Sequence, residues 1–205
     1  MGRWQPNARG RLEKAAMELY AERGFDQTPV AEIAERAGLT ERTFFRHFAD
    51  KREVLFAGSA QLQDLLVEIV AGTPASVKPI DAVAAGIDAI GAALQESRGR
   101  AFARQRQSIV AASAELRERE LNKLSSLAGA LADTLRERDV DDPAASLLAE
   151  IGIAVFRISF ERWVSAPRDQ DLRVLMRESL DEVRSLAADG ARVGAARSEP
   201  VGHAA

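Results

Sequence analysis

Thr40, Arg42, Thr43, Arg46 and His47 fall within eight residues, with Lys51 close behind. All are hydrogen-bond donors of the kind that hold polyanions. A helix from Glu41 to about Phe48 would set Phe44 and Phe48 one turn apart on a core face. Arg42, Thr43, Phe45, Arg46 and His47 would then point away from that core. A guanidinium can bond guanine O6 and N7 with two parallel N–H groups, which makes Arg42, near the helix start, the base-reading candidate. Thr40, Thr43 and His47 can reach phosphate oxygens or base edges. Lys51 would open the following helix, where its charge and the positive helix end both favour a phosphate. Each residue alone also fits an ordinary solvated face. Their joint occurrence on one short helix separates the two readings.

Other chemistries have little to stand on. The chain has no cysteine, which excludes disulfides, thiolate metal sites and a cysteine nucleophile. Its two histidines, His47 and His203, cannot form a multi-histidine metal site. No paired Glu-x-x-His ligands of a helical di-iron centre are present, and no glycine-rich phosphate loop. We therefore expect no metal, no cofactor and no enzyme. An all-helical enzyme is the weakest alternative, and a DNA-binding protein without a sensor is another.

The elements that must position the donors read as helices throughout. Asn7 caps a first helix to Arg23, with Leu12, Ala15, Ala16, Leu19 and Tyr20 on one face and Gly24 after it. Thr28 and Pro29 would cap and open a second helix ending at Ala37-Gly38, and Thr40 would cap the third. Two short helices around a glycine turn make a helix-turn-helix at about 31–50. Asp50 to Glu53 resembles a capping box for a fourth helix reaching Gly72. A fifth starts near Pro79, a sixth covers Arg100–Ala112, and a seventh covers Ala114–Arg138. An eighth covers Asp142–Ala166, and a ninth runs from Asp171 to about Ala188. The expected fold is all-α, with about nine helices. A DNA-binding domain would span 8–68, a helical ligand-binding and dimerisation domain 69–189, and a disordered tail 190–205.

Composition agrees with a globular protein of one domain, or a small one joined to a larger one. The chain has 205 residues, 46% hydrophobic and 29% charged, with net charge −3. Residues 1–53 hold ten Lys/Arg and nine Asp/Glu, so placement of charge matters more than its sum. No run of about 18 apolar residues and no secretory leader is evident, so we expect a soluble cytoplasmic protein without membrane contact.

The stretch Arg11–Leu55 resembles the N-terminal domain of TetR/AcrR-type transcriptional regulators. The match rests on 15–20 (Ala-Ala-Met-Glu-Leu-Tyr), Glu22–Phe25, Thr28–Val30, Ile33-Ala34, Ala37–Thr40, Thr43–Phe48 and Lys51. The resemblance implies a homodimer that binds a palindromic operator on double-stranded DNA. It also implies repression, relieved by a small molecule in the C-terminal domain. Phe45 stands where the family often has a phosphate-contacting tyrosine, so it would offer apolar contact instead. Pro29 replaces a frequent capping residue, leaving Thr28 as the expected cap and a possible phosphate contact.

Behind residue 69 the resemblance is architectural. The eighth helix is apolar on nearly every side from Ala144 to Phe156, so it must be covered on every side. The small residues Ala149 and Gly152, with Leu180 and Val183 of the ninth helix, are the candidate dimer interface. A helix fully internal to a monomer is the alternative. Phe156, Phe160 and Trp163 share a face at i, i+4, i+7, and Phe102, Gln105 and Ile109 lie on the sixth helix. These six are the candidate lining for a small apolar or amphipathic effector, unless they are simply core. The run Arg104–Gln107 fits either a pocket wall or a solvated face, and Arg117–Glu120 reads as a solvated face.

Overall fold

A computed structural model describes residues 7–97 and 99–196, with side chains through residue 188. Among the described residues every regular element is a helix. Helix α1 (Ala8–Arg23) opens on Asn7, whose side chain accepts a hydrogen bond from Gly10 N at 2.9 Å, and closes at Gly24. Helices α2 (Val30–Arg36) and α3 (Glu41–His47) follow. The turn between them needs Gly38, at φ +63°, and closes with Leu39 N donating to Ala34 O at 2.8 Å. Thr40 caps α3 by accepting from Thr43 N at 3.2 Å, and Phe44 and Phe48 are buried.

The fourth helix is two. α4 (Glu53–Phe56) and α5 (Ser59–Gly72) are separated at Gly58, whose φ of +94° breaks the helix. Half of the capping box expected there forms: Asp50 Oδ1 accepts from Glu53 N, but Glu53 Oε2 accepts from Ala49 N, and Arg52, at the start of α4, provides no side-chain cap. Then come α6 (Pro79–Ser97), α7 (Gly99–Ala112), α8 (Ala114–Glu137), α9 (Asp142–Ser165) and α10 (Leu172–Ala196). Ten segments thus stand where nine helices were expected, the increase coming from Gly58. α10 continues to Ala196, past the predicted end near Ala188 and the tail predicted from residue 190. Residues 197–205, including His203, lie outside the described residues.

Two apolar clusters hold the chain together. The smaller joins α1–α4 to Ile109 and Val110 of α7 and Leu116 of α8. The larger joins α5, α6 and α8–α10, with Ala103 of α7. Leu66 and Val70 of α5 belong to the larger cluster, so the two clusters part near Gly58. α7 touches both clusters.

Close approach within the chain uses two glycines. A Cβ on Gly86 would stand 2.6 Å from Leu66 Cδ1, and one on Gly152 would stand 2.6 Å from Val83 Cγ1. Arg100 and Arg104 of α7 donate to the carbonyls of Trp163, Val164, Ala166 and Arg168, satisfying acceptors at the end of α9. Glu53–Gly72 and Asp142–Ser165 are long and apolar enough to cross a membrane by length and composition, although no run of 18 purely apolar residues exists. Both pack into the helical core described above.

Candidate nucleic-acid interface and internal cavity

Helix α3 stands on Phe44 and Phe48, and its other side meets solvent. Arg42, Phe45 and Arg46 are exposed, and Thr43 and His47 half-buried. Phe45 is 54% exposed, unusual for an aromatic side chain without an apolar partner surface. Among the described residues neither Arg42 nor Arg46 has a hydrogen-bond or ion-pair partner. The arginines of the supporting helices are paired instead. Arg36 makes two bonds of 3.0 Å to Glu22, and Arg23 meets Glu32. Arg11 donates to Ala37 O and Gly38 O, which fixes the turn into α3. His47 Nε2 is buried with no hydrogen-bond partner. The Thr40 and Thr43 hydroxyls are 3.1 Å apart at the start of the helix.

Two expected phosphate contacts have other occupations. Thr28 is 0% exposed, and its hydroxyl donates to Gly24 O at 2.8 Å. It is a buried tie between α1 and the following turn, and the residue at the start of α2 is Pro29, without side-chain capping. Lys51 lies in the turn before α4. Its ammonium donates to Phe25 O (2.9 Å), Thr28 O (3.1 Å) and Asp26 O (3.3 Å) and lies 4.4 Å from the centre of the Phe25 ring. All three of its donors are thereby engaged. Tyr20 completes this clamp by donating to Lys51 O at 2.7 Å, and burial pushes its phenol well above the usual range.

A cavity of about 630 Å³ lies between α4–α8 and α9. Phe102, Phe156 and Phe160 line it, as expected, with Leu55, Leu62, Leu65 and Leu94. The other three expected lining residues do not. Gln105 donates to Met17 O at 3.2 Å, bridging α7 to α1. Ile109 is buried in the N-terminal cluster. Trp163 is buried in the larger core, its indole donating to Gln170 O at 3.0 Å.

The sequence reading missed the charged end of this cavity. Arg106, Glu120 and Lys123 line it, with Arg106 Nη2 donating to Glu120 at 2.5 Å and Lys123 Nζ at 3.3 Å. Glu120 was expected on a solvated face, and Arg106 on either a solvated face or a pocket wall. A signal was available. Glu120 and Lys123 follow the buried Leu116 at i+4 and i+7, in line with Leu124 and Leu127, and so occupy the buried stripe of α8. Burial works to raise the Glu120 carboxyl, but Arg106 and Lys123 outweigh it and hold the group below its usual range. Burial pushes the Lys123 ammonium below its usual range, offset only in part by Glu120.

The expected dimer residues also need correction. Ala149, Gly152 and Leu180 are buried inside the protomer, because α9 and α10 turn their small and apolar residues onto α6 and α8. Val183 is only partly buried. The outward side of α9 instead carries Leu147 and Ile158, 64% and 46% exposed, with the half-buried Ile151 and Ala154 between them in the sequence.

A three-helix unit with a helix-turn-helix, set on a larger helical bundle enclosing a cavity, defines a class of DNA-binding regulator. Residues 12–57 match the family described as bacterial regulatory proteins, tetR family. Residues 77–188 match the MftR C-terminal domain. The HTH-type transcriptional regulator TcmR of Streptomyces glaucescens is 27% identical over 198 residues, covering 91% of this chain and 88% of that protein. Solved structures share the fold. FadR of Bacillus subtilis, in complex with stearoyl-CoA, has TM-score 0.59 at 20% identity, covering 84% of this chain and 95% of that one. SmeT of Stenotrophomonas maltophilia, in complex with triclosan, has TM-score 0.64 at 23% identity, covering 90% and 91%. The chain belongs to the tetR family of bacterial regulatory proteins. It is a DNA-binding transcriptional regulator, not an enzyme.

Proposed function

We propose that the chain is a ligand-responsive repressor that binds a palindromic operator as a homodimer, in the bacterial cytoplasm at the nucleoid. Arg42 reads a base edge and Arg46 a base edge or phosphate. Thr40, Thr43 and His47 contact the backbone, and Phe45 packs on a sugar or a thymine methyl. A partner copy covers the Leu147–Ile158 stripe of α9 and the exposed residues of α10 from Val183 onward. The twofold must hold the two α3 helices about 34–36 Å apart to enter successive major grooves.

One observation carries the regulatory reading. Leu55 is buried in the N-terminal cluster and also walls the cavity, and Arg106 donates to its carbonyl at 2.7 Å. Anything that rearranges the cavity wall therefore acts on the segment that carries α3. A ligand with different affinity for two spacings of α3 shifts DNA affinity by that difference. The complexes of FadR with stearoyl-CoA and of SmeT with triclosan support an effector with an apolar body. SmeT is described as a repressor, which supports repression here. Selection of duplexes from a random pool tests the reading. It should return a sequence with twofold symmetry, and an unstructured or asymmetric consensus would contradict the dimeric operator.

A further inference from the structure

The charged end of the cavity is unbalanced. Two cations, Arg106 and Lys123, face one carboxylate, Glu120. Their side chains are largely out of water, at 12%, 22% and 21% exposure respectively. Arg106 is well anchored, with Nε on Leu55 O at 2.7 Å and Nη2 on Glu120. Lys123 is not. An ammonium has three donors, and among the described residues Glu120 is its one partner, at 3.3 Å. A largely buried ammonium with one carboxylate partner still has donors to offer, and a charged acceptor gains more there than the same contact in water. Away from this end Phe102, Phe156, Phe160 and Leu94 supply apolar wall, with Asp64 and Glu68 on the α5 side.

An occupant must satisfy both ends. A neutral amphiphile would leave the lysine donors weakly filled. A cation would meet two like charges at the buried end, where Glu120 is already paired with both, and would otherwise be drawn to Asp64 and Glu68, which are exposed on the α5 side and screened by water.

We propose that the effector is an organic anion with an apolar body, its carboxylate seated on Lys123 and Arg106 and its hydrocarbon against Phe102, Phe156 and Phe160. This rests on the reading of the cavity as the effector site. The incoming carboxylate takes the Lys123 donors that Glu120 does not engage. It also competes with Glu120 for Arg106, the residue that holds Leu55 O.

Calorimetry on the full chain near pH 7.5 tests this, with dodecanoate, dodecan-1-ol and dodecyltrimethylammonium as probes, each below its micelle concentration. Dodecanoate should bind about tenfold or more tighter than dodecanol, the margin of a charge-assisted hydrogen bond in a buried site, and the cation should bind weakest. Lys123→Met should bring the dodecanoate-to-dodecanol ratio close to one, and Lys123→Arg should restore the ratio. If the methionine variant does not fold, Lys123→Gln replaces it. Equal or tighter dodecanol binding, preference for the cation, no dodecanoate binding, or an unchanged ratio in the variant overturns the proposal. Fluorescence anisotropy with labelled duplex runs beside it. DNA binding that responds to dodecanol or to the cation would reject the anion and keep the ligand-responsive regulator. A protein that binds neither duplex nor any probe would lose both readings.

Discussion

Arg42 and Arg46 differ from their neighbours in what they lack. Arg36 and Arg23 are held by glutamates, Arg11 by two carbonyls, while the two α3 arginines carry uncompensated charge on an exposed face. Arg42→Ala should weaken binding to a selected duplex by about 1–3 kcal/mol and relax preference at one position, measured by anisotropy against single-base variants. A uniform loss on every sequence would reassign Arg42 to a phosphate. Lys51 makes the opposite case. Its donors hold three carbonyls of the α1–α2 turn, so Lys51→Met should lower the stability of the N-terminal unit by about 1–3 kcal/mol, read from urea midpoints. The dependence of DNA affinity on log salt should keep its slope. A slope lower by about 1, with unchanged stability, would return Lys51 to the phosphate contacts. Residue type alone could not separate these arginines and lysines, because the acceptors that engage Lys51 lie 23–26 residues away in the chain.

At the scale of elements, α7 links the two clusters and α8 supplies the buried charge beside the cavity. Glu120 has a folded pKa below its ordinary value, so its contribution to stability is present above the unfolded carboxylate range and is lost as pH falls through the folded value. Glu120→Gln should therefore reduce stability at neutral pH and flatten the acid limb below about pH 4, followed as urea midpoints against pH. An acid limb identical to that of the parent would remove Glu120 from the ionic cluster. Most helices, the caps at Asn7 and Thr40 and the turn at Gly38 were legible from periodicity and local chemistry, because those depend on residues within one or two turns. What each face packs against was not. Gly152 reads as a small residue free for a partner helix, yet Val83 and Leu131 of the same chain fill the space beside it. Gly86→Ala would drive a methyl into Leu66 and Val70, and should cost about 1–3 kcal/mol despite the better helix propensity of alanine. A gain in thermal stability instead would mean that α5 and α6 can separate freely.

For the whole molecule, the outward stripe of α9 and the exposed end of α10 ask for cover. Leu147 and Ile158 are large, apolar and exposed on one face, and from Asp181 to Ala188 only Val183 is partly withdrawn from solvent. Leu147→Glu combined with Ile158→Glu should convert a species of about 44 kDa, twice the 22.2 kDa chain, to monomer in size-exclusion chromatography with light scattering. Affinity for a palindromic duplex should fall with it, since a monomer engages one half-site. A parent protein running at the mass of one chain would leave that stripe without a role.

The most direct test of DNA recognition by the exposed face of α3 is anisotropy at low salt with pooled genomic duplex, comparing the parent chain with the Arg42→Ala, Arg46→Ala double variant. The parent should bind and the double variant, folded by circular dichroism, should lose most of that affinity. Equal binding by both, or no binding by either, would contradict recognition through α3.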